Sequence, residues 1–136
     1  MKRAFIDANV ILRYLTKDPP EMAEAALKTF TNAENGKVFL LVTNLTVAEV
    51  VWVLESFYGY SKNQIAETLT EFLLCEGLEV ESLDFLIEAL TLYQEKNLDF
   101  ADAFLAVTAL RKGTPTIYSF DRHFNRVDGI NVLRPT

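Results

Sequence analysis

Val38-Phe39-Leu40-Leu41-Val42 is an uninterrupted apolar run of strand length, with stretches of helical periodicity on either side. Such a run keeps no polar side for water. It therefore predicts a strand in a sheet covered on both faces, the usual setting of parallel strands joined by helical crossovers. Arg3-Ala4-Phe5-Ile6 is a similar short run, and Leu78-Glu79-Val80, Thr116-Ile117-Tyr118 and Ile130-Asn131-Val132-Leu133 read as three further strands. Helical signals fill the intervals. Val10, Ile11, Tyr14 and Leu15 mark a helix that Lys17-Asp18-Pro19-Pro20 must stop, because proline has no N–H to continue the ladder. Ala23, Ala26, Leu27 and Phe30 fall at i, i+3, i+4 and i+7 and give a second helix ending before Gly36.

A third helix carries Val47, Val50, Val51, Leu54 and Phe57 on one stripe. Ser61 with Gln64 makes a capping box that opens a fourth, continued by Ile65, Leu69, Phe72 and Leu73. Leu83, Leu86, Ile87 and Leu90 predict a fifth, and residues 100–110 a sixth closed by Gly113. Strands alternating with helical crossovers predict a single α/β domain over residues 1–136, three layers deep (α/β/α) around a mainly parallel central sheet. At 136 residues the chain is long enough to bury roughly 70% of its unfolded surface in one core.

Composition narrows the function. Cys75 is the one cysteine, which excludes an internal disulfide framework and a Cys-rich zinc site and fits a reducing cytoplasm. Its thiol is expected in a helix-packing position. Met1-Lys2-Arg3 is basic, but Asp7 and Arg13 break the apolar stretch behind it, so no signal peptide is expected. No apolar run approaches the length of a membrane span. The net charge of −6 argues against a protein that coats nucleic acid through a broad basic footprint. That charge is uneven: residues 69–100 hold eight acids and one base, leaving the remainder slightly positive.

Four acids fall in equivalent places. Asp7 follows the first strand and Asp121 the fourth, while Glu49 and Asp102 are expected in the first turns of the helices that follow strand two and precede strand four. Strand C-termini and crossover-helix N-termini share one edge of a parallel sheet, the edge at which open α/β sheets bind ligands. Taken singly, each acid is also explained as a helix cap: Thr46-Val47-Ala48-Glu49 fits a capping box, Asp99 with Asp102 fits one loosely, and Asp121 can cap Arg122-His123-Phe124. Taken together, they predict a shared rim. Converging carboxylates need a cation or mutual protonation. An all-oxygen set suits Mg²⁺ or Mn²⁺, which bridge carboxylates to phosphate oxygens and activate water for phosphodiester hydrolysis. Asn9 and Ser119 are short polar residues able to orient such ligands.

These residues carry a family resemblance. Phe5-Ile6-Asp7-Ala8-Asn9-Val10-Ile11-Leu12-Arg13-Tyr14-Leu15 resembles the opening of PIN-domain proteins, especially the VapC-type toxins of toxin–antitoxin pairs. Leu45-Thr46-Val47-Ala48-Glu49-Val50-Val51-Trp52-Val53-Leu54 is similar to their second motif, Asp99-Phe100-Ala101-Asp102-Ala103-Phe104-Leu105-Ala106 to the third, and Tyr118-Ser119-Phe120-Asp121-Arg122-His123-Phe124 to the fourth. Any one motif is weak, whereas four in order along the whole chain are specific. The resemblance implies a Mg²⁺- or Mn²⁺-dependent endoribonuclease with the quartet Asp7, Glu49, Asp102 and Asp121. Asp7 and Asp102 would be the main metal ligands, Glu49 would complete the pocket or help activate water, and Asp121 would bind a second metal or act through water. Ser119 stands where the family often has threonine, so the hydroxyl is kept. An RNA substrate, a cognate antitoxin and a homodimer are implied in the same way.

Other residues admit two readings. His123, the single histidine, could act as a base, although metal-activated water makes that unnecessary. Arg122, Arg126 and Lys112 are either RNA phosphate contacts or ordinary solvated charge. Trp52 and Val53 lie off their helix's main stripe, so that helix is either packed all round in the core or docked on a partner. Two competing functions stay open: an aspartyl phosphatase with Asp7 as nucleophile, against which Asn9 stands where a second acid is usual, and a non-catalytic module that binds a partner through apolar helices.

Overall fold

All five expected strands form in the computed structural model, which describes residues 2–136. They run β1 Lys2–Phe5, β2 Val38–Val42, β3 Leu78–Val80, β4 Thr116–Tyr118 and β5 Asn131–Leu133. Every pairing is parallel, as the crossovers require. The strands are arranged as two sheets, β1-β2-β3 and β4-β5, and the chain divides into two compact units, one reaching to Leu83 and the other Asp84–Thr136.

In the first unit, β2 is the middle strand, with Lys2 opposite Val38 and Leu41 opposite Glu79. Four helices belong to it: α1 Ala8–Thr16, α2 Pro20–Glu34, α3 Asn44–Ser56 and α4 Lys62–Leu73. Leu40 and Val42 are buried with Ile11, Leu12, Val50, Leu54, Ile65 and Leu69, and Tyr14, Phe30 and Phe72 add an aromatic cluster with Phe30 edge-on to Phe72. Side chains alternate across a strand, and the other side of β2 stays open: Phe39 is 40% exposed, and Phe5 on β1, two residues beyond Phe39's partner Arg3, is 73% exposed. The stop at Lys17 works as expected, through a left-handed residue whose N–H closes on the Arg13 carbonyl. Ser61 and Gln64 form the complete reciprocal capping box at the start of α4.

Four sequence expectations change here. The cap of α3 is Thr43, whose hydroxyl accepts from the Thr46 N–H, so the Thr46–Glu49 box does not form and Glu49 falls in the second helical turn. Cys75 lies beyond the end of α4 and is exposed instead of packed, with its thiol 3.5 Å from the Glu71 carbonyl. Trp52 is 68% exposed and Leu45 more so, one heptad apart on the same side of α3, which removes the core-packing explanation of Trp52. Leu27, assigned to the apolar stripe of α2, is also exposed.

The second unit holds α5 Leu83–Glu95, α6 Phe100–Arg111, the β4-β5 pair and a 3₁₀ helix Arg122–Arg126. Leu86, Leu90, Tyr93, Ala103, Ala106 and Val107 are buried. Arg126 is a clasp: its guanidinium donates to the Lys96 and Asn97 carbonyls at 3.3 and 2.7 Å, holding the 3₁₀ helix to the α5–α6 turn. Among the described residues no helix is long and apolar enough to cross a membrane.

Candidate functional site

Asp7 reaches its position because β1 ends two residues earlier and α1 starts one residue later. Its Oδ1 accepts from the Val10 N–H at 3.2 Å, so it is the N-cap of α1 and sits at the positive end of that helix. It is nevertheless exposed, and it borders two openings in the first unit. One, of about 380 Å³, runs between Asp7, Asn9, Val10, Arg13 and Met22. Arg13 is held there by the Tyr58 hydroxyl at 3.3 Å and the Asp18 carbonyl at 3.4 Å. The other, of about 600 Å³, is bounded by Phe5, Asp7, Thr43 and Thr46. Thr43 and Thr46 hydrogen-bond through their hydroxyls at 2.9 Å. Glu49, exposed, follows Thr46 by three residues and so lies one turn further along the same side of α3.

The second unit gathers its acids more closely. Asp102 is in the first turn of α6, as expected, and is half-buried. Burial raises its carboxyl above the ordinary value of 3.8, the charges of Asp99 and Asp121 raise it further, and His123 opposes them. Asp99 occupies the N-cap position of α6, yet its side chain makes no capping hydrogen bond, so the cap explanation covers its place in the chain and not its carboxylate. Asp121 is fixed from both sides. Its own N–H donates to the Ser119 Oγ at 2.9 Å, and its Oδ1 accepts from the His123 N–H at 2.8 Å with the imidazole Nδ1 3.1 Å away. Ser119 thus holds the Asp121 backbone, while His123 donates to the Asp121 carboxylate through its own backbone N–H. Arg122 is exposed, and Lys112, at the end of α6, lies 6.0 Å from the Phe85 ring centroid.

Among the described residues no three His, Cys, Asp or Glu side chains are grouped so as to enclose a metal ion by themselves. The donor set fits Mg²⁺ or Mn²⁺ on other grounds. These ions take one or two carboxylates and complete their shell with water and substrate phosphate, and a carboxylate such as Asp102, raised by burial and by the charges of Asp99 and Asp121, is a place where a cation relieves repulsion. Sequence reasoning ranked Asp99 below the quartet. Its electrostatic hold on Asp102 follows from a spacing of one helical turn that the sequence does contain.

The raised Asp102 carboxyl has a stability consequence. An acid whose folded-state pKa exceeds its unfolded value binds protons more tightly when folded, so it lowers stability as pH climbs through that range. Asp102→Asn without metal is therefore expected to melt above the parent protein at neutral pH. Well below pH 3.8, where the carboxyl is protonated in both states, the two melting temperatures should converge. A lower melting temperature at pH 7 would contradict the crowding described.

Comparison with known proteins gives a consistent pattern. The profile of the PIN domain family matches residues 4–130. A protein described as a VapC ribonuclease, from Aquifex aeolicus (strain VF5), is 28% identical over 130 residues, which cover 96% of this chain and 95% of the relative.

Proposed function

The chain belongs to the PIN domain family, and on that premise we propose that it is a divalent-metal-dependent endoribonuclease, the toxin of a VapBC-type toxin–antitoxin pair. The observation that carries the reading is the raised carboxyl of Asp102, lifted first by burial and then by the charges of Asp99 and Asp121, a concentration of negative charge that suits a cation. The similarity to a VapC ribonuclease over nearly the full length supports RNA as the substrate.

In this proposal Asp7, Glu49, Asp102 and Asp121 are the functional carboxylates, with Mg²⁺ or Mn²⁺ as cofactor. The ion, when bound, supplies charge for the scissile phosphate and activates water. Asp7 and Asp102 would be its main ligands, each at the start of a helix whose dipole also favours an approaching phosphate. Asp121 presents a carboxylate whose orientation is set by Ser119 and by the His123 backbone. Glu49, free of any capping duty, would complete the pocket or help activate the water. A cognate antitoxin and a homodimer belong to the same reading, and the exposed Leu45 and Trp52 on α3 supply an apolar surface for a protein partner. The cytoplasm is its expected location.

The test is direct. Partner-free protein mixed with single-stranded RNA should cleave it in Mg²⁺ or Mn²⁺, stop when EDTA is added, and resume when Mg²⁺ is supplied in excess. Cleavage that continues in EDTA, or RNA left intact with both metals, overturns the proposal.

A further inference from the structure

We propose that Phe120, backed by the guanidinium of Arg134, is a stacking subsite for one base of single-stranded RNA beside Asp121, an inference that rests on the nuclease reading above. Phe120 immediately precedes Asp121 and is 67% exposed. Its ring does not lie loose on the surface. The Arg134 guanidinium carbon stands 5.2 Å from the ring centroid, within the range of a cation–π contact. That contact is built by the strand pairing: Tyr118 faces Leu133 across β4 and β5, and the Ser119 N–H donates to the Leu133 carbonyl at 2.9 Å. One residue on, the Asp121 N–H is tied to Ser119. The backbone on both sides of Phe120 is therefore fixed, and the ring is held on a segment that continues directly into Asp121.

A ring held by a cation on one side with most of its surface in solvent matches a flat aromatic ligand. Nucleobases stack on exposed aromatic side chains in single-strand-binding proteins, and arginine contributes both planarity and charge. Charge supports the same occupant. Asp99, Asp102 and Asp121 repel an RNA backbone, and Arg134, which makes no salt bridge among the described residues, brings a cation to the ring of the residue that precedes Asp121. Stacking accepts every base, so the subsite would add affinity and position the strand without selecting a sequence.

Two measurements on the full chain test this: anisotropy of a labelled single-stranded oligoribonucleotide in EDTA, and cleavage kinetics in Mg²⁺. Phe120→Leu should weaken binding and raise KM by roughly 10-fold while kcat stays within about twofold, and Phe120→Trp should restore both. Arg134→Gln should weaken binding and lower the salt dependence of log Kd by about 0.7, as expected for one lost phosphate contact on a single strand. If the parent protein cleaves RNA and Phe120→Leu matches it in Kd and KM, the subsite is overturned while the nuclease reading stands. If the parent binds RNA through Phe120 but cuts none, the nuclease reading fails instead. Absence of RNA binding by the parent overturns both.

Discussion

Asp7→Asn is expected to lose RNA cleavage by about 1,000-fold, equivalent to roughly 4 kcal/mol of transition-state stabilisation, with the melting temperature essentially unchanged. The reason lies in the two duties of one side chain. As the N-cap of α1, Asp7 needs only an oxygen that accepts from the Val10 N–H. Asparagine offers one, and the two residues rank equally at that position. As a metal ligand it needs a charge, which asparagine does not have. Asp7→Ala separates the duties differently, adding a stability loss of about 1 kcal/mol from the missing cap to the same loss of activity. A residue that served only as a cap would show full cleavage in the asparagine variant.

Gly77→Ala is expected to destabilise the protein by about 3 kcal/mol or more, read as a fall in the urea midpoint. Gly77 leads into β3 with φ of +86°, and its carbonyl accepts the Leu40 N–H of β2 at 2.9 Å. A Cβ there would sit 2.4 Å from the Ala33 carbonyl oxygen and 2.5 Å from its carbon. Both are backbone atoms of α2, at a residue that is itself buried, so no flexible side chain can yield. Either β3 leaves its register or α2 moves. Gly59 is the control. It has φ of +69° and open space around the missing Cβ, so Gly59→Ala should cost only about 1 kcal/mol of backbone strain. Equal losses at the two sites would mean that the approach of α2 does not matter.

Local pairs in this chain were legible from sequence and distant ones were not. The Ser61–Gln64 box could be read because both partners lie within four residues and have no rivals. The start of α3 could not be settled in that way. Thr43 and Thr46 are both competent caps three residues apart, and the choice depends on where β2 ends. Taking the earlier one shifts Glu49 by a turn, from a capping partner to an exposed acid. The position of Asp102 was clear because Phe100 opens the helix, whereas the raised pKa depends on folded distances to Asp99 and Asp121 that spacing only suggests. Trp52 sits on a helix apolar on every side, and periodicity cannot say which side meets solvent when no polar stripe marks it. Phe120 passed as a motif residue because exposure is a property of the folded chain.

Binding of Mn²⁺ followed by electron paramagnetic resonance tests most directly whether these carboxylates hold a divalent ion. Titrating the partner-free protein should deplete the signal of free Mn²⁺, and the Asp7→Asn and Asp102→Asn variants should leave that signal as it is in buffer. Variants that take up as much Mn²⁺ as the parent protein would contradict the account.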